Sequence, residues 1–125
     1  MKRRSARGTS LIEVLCAMSL FGLVASAIGA LAAGSMVHSI RSRHVTGAAM
    51  LAQEELEDLR GLPYGDINAR VSTAIVTGQQ YTITTAVTPD SPAAGMKRIV
   101  VTVGWTGPEG AKSHVIETIF TSVTG

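Results

Sequence analysis

Lys2-Arg3-Arg4-Ser5-Ala6-Arg7-Gly8-Thr9-Ser10-Leu11-Ile12-Glu13-Val14-Leu15 opens a run that stays apolar as far as Val37. Four basic side chains precede Gly8, and between Gly8 and His38 the only charged side chain is Glu13. An ordinary secretory signal has an apolar region of about 7–15 residues ending at a small-residue cleavage site, so this run is too long, and Glu13 lies where such signals avoid charge. A plain membrane anchor fits the length. Val14 to Val37 makes roughly 36 Å of helix at about 1.5 Å per residue, against a hydrocarbon core of about 30 Å. That reading leaves Glu13 unexplained, because a carboxylate in the membrane costs on the order of 2.5–3.5 kcal/mol and so calls for a partner. A buried core helix is opposed by the basic cluster directly before the run.

At Arg7-Gly8-Thr9-Ser10-Leu11-Ile12-Glu13-Val14-Leu15 the chain resembles the type IV pilin family. The match lies in the basic leader, the glycine, the glutamate five residues after it, and the hydrophobic helix beyond. The resemblance implies that a prepilin peptidase cuts between Gly8 and Thr9, and that the new amine at Thr9 is methylated. It also implies that Glu13 meets the Thr9 amine of a neighbouring subunit during assembly. Thr9 departs from the large apolar residue usual at that position. Physically, Glu13 lies one helical turn from Thr9 in its own chain, and pairing removes much of the cost of a carboxylate in lipid. The bland alternative is a carboxylate that snorkels to the interface near its helix start.

The 125 residues leave room for one small domain beyond the anchor. The formal charge of +2 belongs to the leader. Without residues 1–8, seven basic side chains face nine acidic ones, a net −2, so the charge gives no case for nucleic acid as a partner. Cys16 is the only cysteine, so no disulfide can form within the chain. It reads as a small apolar residue of the helix. Four basic residues before the span against Arg41 and Arg43 after it predict a cytoplasmic N-terminus and a head outside the cytoplasm.

The span is rich in small residues, with Gly29, Ala33 and Val37 on one helical row and Gly22, Ser26 and Ala30 on another. Such residues let helices approach closely within a membrane, which marks Gly22, Ser26, Gly29 and Ala33 as helix-packing positions. No proline interrupts Thr9 to Leu62. Val45, Ala48, Ala49, Ala52, Leu56 and Leu59 recur at helical spacing and predict an apolar face, with Glu54, Glu55, Glu57 and Asp58 as a solvated acidic one. Gly61 and Pro63 predict the stop. The helix expected from Leu11 to Arg60 is roughly 75 Å long at about 1.5 Å per residue.

Leu62 to Asn68 reads as a loop, and the remainder as strands at Val71–Val76, Gln80–Val87, Lys97–Trp105 and Ser113–Thr121. Short links between successive strands predict an antiparallel meander. Ile99, Val101, Val103 and Trp105 alternate onto one face and are expected to pack on the helix beside Leu56 and Leu59. The fold class is therefore α+β: a long N-terminal helix on a small antiparallel sheet, the lollipop shape of pilins. The expected divisions are a leader at 1–8, a membrane or filament-core helix at 9–40, an amphipathic head helix at 41–62 and a β head at 63–125.

Ala49-Met50-Leu51-Ala52-Gln53-Glu54-Glu55-Leu56-Glu57-Asp58-Leu59-Arg60 is similar to the matching stretch of minor pilins of the PilV type and of I-type minor pseudopilins of type II secretion. The Val-Thr-Val-Gly-Trp ending at Trp105 resembles the central strand of PilV-type heads. The resemblance implies a minor pilin that primes a pilus or forms its tip. Its expected partners are other pilins or pseudopilins through the N-terminal helix, prepilin peptidase and an inner-membrane assembly platform, with the membrane as its home before assembly. A pseudopilin of a type II secretion system has the same mechanics. A single-pass anchored protein whose head binds an envelope partner is the alternative of another class. His38, His44 and His114 lack the spacing of a metal site, and the glycines form no phosphate loop. No catalytic residue, cofactor, metal or small-molecule substrate is expected.

Overall fold

The computed structural model describes residues 10–122. By internal contacts the chain divides into one unit at residues 1–39 and a second at residues 40–125. From Leu11 on the first unit is helical, within α1 (Leu11–Arg60). Among the described residues α1 is the one helix long and apolar enough to cross a membrane, with a mean hydropathy of 2.2 over its 18-residue window and none of that window buried. The carbonyl of Ser10 starts the ladder, accepting from the amides of Glu13 at 2.9 Å and Val14 at 3.2 Å. Ser19 and Ser26 spend their hydroxyls on the carbonyls of Leu15 and Leu23, each at 2.8 Å. Neither therefore needs water in an apolar surrounding.

In the second unit the end of α1 packs on one face of a four-stranded sheet. The strands are β1 (Arg70–Val76), β2 (Gln79–Pro89), β3 (Met96–Gly107) and β4 (Gly110–Thr121). All pairs are antiparallel in the order β1-β2-β3-β4, the expected meander. Each strand starts or ends one to three residues beyond its expected limit. The added residues, such as Gln79, Thr88 and Gly107, carry no hydrophobic alternation, yet their backbones still pair. A two-residue link, Thr77-Gly78, joins β1 to β2 with both residues at positive φ (51° and 78°), as a tight hairpin of this twist requires. The loop after α1 contains a single 3-10 turn at Tyr64–Asp66.

Period two decides which side chains turn inward. Tyr81 opposes Trp105, Ile83 opposes Val103, Thr85 opposes Val101 and Val87 opposes Ile99. Of these, Tyr81, Ile83, Thr85, Ile99, Val101, Val103 and Trp105 are buried. From α1 the core takes Ala48, Leu51, Ala52 and Leu59, with Leu56 half-buried at its margin. Tyr81 and Trp105 pack with their ring centroids 5.9 Å apart at a tilt of 53°, a favourable aromatic geometry.

Two expectations about this helix face are corrected. Val45 is 42% exposed, and Gly47 and Leu51 take the inward positions in its place. Glu55 is not on a solvated surface; it is 6% exposed, at the centre of the face that meets the sheet. The helix is rotated relative to the face inferred from its apolar residues, because a polar pocket at the sheet draws a carboxylate inward.

Candidate functional site

Gly8 and Thr9, the expected cleavage and modification residues, lie outside the described residues. Glu13 lies in the first turn of α1, three residues after Ser10. That Ser-x-x-Glu spacing is a helix-start signal which the sequence reading passed over. A carboxylate in a first turn is also favoured by the helix dipole, by about 0.3–1 kcal/mol, far less than its cost in lipid. Among the described residues no cation stands within ion-pair reach of Glu13.

Gly22, Ser26, Gly29 and Ala33 all fall on α1 and are exposed. A Cβ added at Gly22, Gly29 or Gly34 would meet nothing within 4 Å. Close packing within the chain therefore does not account for these glycines. Cys16 is exposed on the same helix.

In the second unit the notable polar cluster is one the sequence did not reveal. Arg70 Nε and Thr85 Oγ1 both donate to Glu55 Oε1, at 2.5 and 2.6 Å. Burial raises the Glu55 carboxyl, but the hydrogen bonds from Arg70 and Thr85, with the charge of Arg70, outweigh it and hold the group below its ordinary value. The Glu55 bond, acting against a smaller desolvation, pushes the Arg70 guanidinium up. The cluster joins α1 to β1 and β2 and satisfies a buried charge. Its three side chains are spent on one another, so it is a fastening. Its only sequence signal was Glu55 lying in phase with Ala48, Ala52 and Leu59.

A second fastening closes the loop after α1. Lys97 Nζ donates to the carbonyls of Tyr64 at 2.7 Å and Ile67 at 3.0 Å and lies 4.6 Å from the Tyr64 ring centroid. His44 is half-buried, and its carbonyl accepts from the Tyr81 hydroxyl at 3.2 Å. His114 lies on β4. It pairs with Val103 and is half-buried on the helix-facing side of β4. An open groove lined by Gln79, Gln80, Thr82, Gly104, Thr106 and Lys112 brings together amides, hydroxyls and one ammonium, with no acid–base pair. Among the described residues no three His, Cys, Asp or Glu side chains are grouped to hold a metal.

Comparison with known proteins places one signature on this chain. Residues 3–29 match the family model described as the prokaryotic N-terminal methylation motif. The match covers Arg3, Arg4, Arg7, Gly8, Glu13 and the first part of the apolar helix. It supports a type IV pilin-like prepilin signal, hence a substrate of prepilin peptidase that assembles with other pilins. The motif marks structural subunits rather than enzymes, and with the apolar helix it fits inner-membrane anchoring followed by entry into a pilus. No curated protein and no solved structure matches the chain.

Proposed function

We propose that the protein is a minor type IV pilin, held in the inner membrane with its N-terminus in the cytoplasm and its β head outside. Prepilin peptidase cleaves the Gly8–Thr9 bond, and the amine of Thr9 is methylated. The assembly platform then lifts the helix into a growing filament, where Glu13 pairs with the Thr9 amine of a neighbour. Gly22, Ser26, Gly29 and Ala33 let the helices approach closely. The protein primes assembly or forms the tip.

The observation that carries this reading is the motif over residues 3–29 with Glu13 at its centre. The exposed glycines of α1 support it, because among the described residues nothing stands within 4 Å of a Cβ added at Gly22, Gly29 or Gly34. The minor role draws on the likeness of Ala49–Arg60 and of the β3 strand ending at Trp105 to PilV-type subunits. The same stretch resembles I-type pseudopilins, so a type II secretion pseudopilus is the second reading.

The test is intact mass of the protein from its native membrane, with and without prepilin peptidase. A species starting at Thr9 and lost without the peptidase is the expected result, and methylation adds its mass in the same spectrum. A chain that keeps Lys2 to Gly8 in both strains would reduce the protein to a plain anchor. Loss from the surface in a pilus-platform mutant, and not in a secretion-platform mutant, separates the two machines.

A further inference from the structure

The charges of the second unit are sorted to its two ends, and contacts along α1 tell the ends apart. Arg41 faces Glu109 at 3.7 Å, the His44 carbonyl takes the Tyr81 hydroxyl and Glu55 takes Thr85. Beyond the helix, the Tyr64 and Ile67 carbonyls take Lys97. The strands therefore run along the helix. The β1–β2 and β3–β4 links lie beside its Arg41 end, and the β2–β3 link lies at its Arg60 end. Arg41, Arg43 and Lys112, all exposed, belong to the first end, where Glu109 opposes them. Glu54, Glu57, Asp58, Asp66 and Asp90 lie toward the other.

The basic end is not spent on its own carboxylate. Glu109 Oε2 stands 3.7 Å from Arg41 Nη1 and 3.6 Å from Lys112 Nζ, too far for a hydrogen bond to either. Among the described residues Arg43 has no ion-pair partner. Lys112 also carries the patch into the open groove, where Gln79, Gln80, Thr82 and Thr106 add amide and hydroxyl donors beside Trp105, and no carboxylate lines it. Arg41 comes four residues after Val37, where the apolar run ends. Four residues span about 14 Å even when fully extended, so the chain itself keeps this end near that point.

We infer that the basic end of the head is a membrane-surface contact. Arg41, Arg43 and Lys112 rest on anionic phospholipid, and the groove beside Trp105 takes the phosphodiester of a headgroup. Arginine and lysine both suit phosphate oxygens, and tryptophan favours the interface between lipid and water. The acidic end is repelled by the same surface, so the field also orients the head. The inference rests on the reading that anchors the chain in the inner membrane with its head outside, and it concerns the subunit before it enters a filament. On that topology Arg41 and Arg43 work against the charge bias that sets orientation, and a headgroup contact accounts for their place.

The test puts the full-length chain in lipid nanodiscs with nitroxide on some headgroups and reads quenching of Trp105, the only tryptophan. Quenching is expected to be stronger in an equal mixture of phosphatidylglycerol and phosphatidylcholine than in phosphatidylcholine alone, and high salt should erase the difference. Arg41→Gln with Lys112→Gln is expected to lower the docked-to-free ratio at least about fivefold, the scale of one such cation at the surface. Glu109→Gln frees both cations and is expected to raise the ratio, a gain that a damaged fold cannot give. Quenching indifferent to lipid charge, or to both sets of variants, would overturn the inference. So would release by glycerol phosphate but not by chloride of equal ionic strength, which would make the groove a site for a free phosphate ester. Recovery of the chain with the discs reports the anchor separately. A chain held in the discs that ignores lipid charge overturns the surface alone, and a chain left outside them overturns the anchor as well.

Discussion

Glu55 shows how one residue can reverse the reading of its neighbourhood. It stands between Glu54 and Glu57 in a run that looks uniformly solvated, yet it is buried and bonded to Arg70 and Thr85. Replacing it by Gln keeps the shape and removes the charge that Arg70 answers. The expected loss is about 1–3 kcal/mol, the range for an unsatisfied buried partner, read as a lower thermal midpoint of the full chain in detergent. Arg70→Ala should cost at least as much as Glu55→Gln, since it leaves a carboxylate only 7% exposed with Thr85 alone to answer it, whereas Arg70, 39% exposed, can turn to water when Glu55 is neutralised. The pair also gives a pH signature. The folded carboxyl lies below its ordinary value of 4.5, so its contribution is fully present above that value and is lost as pH falls through the lower, folded one. Wild type should therefore lose stability below about pH 4.5 more steeply than Glu55→Gln. Parallel acid profiles for the two would show that the carboxylate is not held in this way.

At the scale of elements, the join between α1 and β2 rests on a missing side chain. A Cβ at Gly47 would come within 2.9 Å of the Tyr81 hydroxyl and 3.4 Å of Cζ. Alanine is worth up to about 1 kcal/mol over glycine inside a helix, so Gly47→Ala tests whether local preference or packing wins. Tyr81 is 2% exposed, packs against Trp105 and donates to the His44 carbonyl, so it has little room to yield. Packing should prevail, with a net loss of about 1–3 kcal/mol in thermal unfolding. Adding Tyr81→Phe removes the closest atom, and the double variant should recover part of that loss relative to Tyr81→Phe alone. The same contacts explain what the sequence left hidden in the fold. The 50-residue helix, its stop before Gly61 and the four strands were legible because turn residues and periodicity are local signals. The rotation of the helix on the sheet is not local. It is fixed by Tyr81 reaching past Gly47 and by Thr85 and Arg70 drawing Glu55 inward, which is why Val45 was expected in the core and is found exposed.

For the whole molecule, the basic cluster and the long apolar helix were legible from the first forty residues, because they are compositional features that no tertiary contact overrides. The motif match covers that same stretch and stops at residue 29, so the head's part in assembly has to be argued from its surfaces. The fastenings at Glu55 and Lys97 stiffen the head without adding chemistry to it, whereas Glu13, to which assembly is assigned by proposal, is on the exposed first part of α1, before its first buried residue at Gly47. This separation makes Glu13 testable without disturbing the fold. Glu13→Gln keeps the length and shape of the side chain and lowers its cost in lipid, so insertion should be undisturbed. Gly8 and Thr9 are unchanged, so intact mass should still report a chain starting at Thr9. What the amide cannot do is answer a neighbour's ammonium with a full charge. The protein in the sheared filament fraction should fall at least tenfold, equivalent to about 1.4 kcal/mol of pairing, while the membrane pool rises. If Glu13 acts only on the dipole of its own helix start, worth a few tenths of that scale up to about 1 kcal/mol, the sheared fraction will change little, and the pairing assigned to this carboxylate will have to be given up.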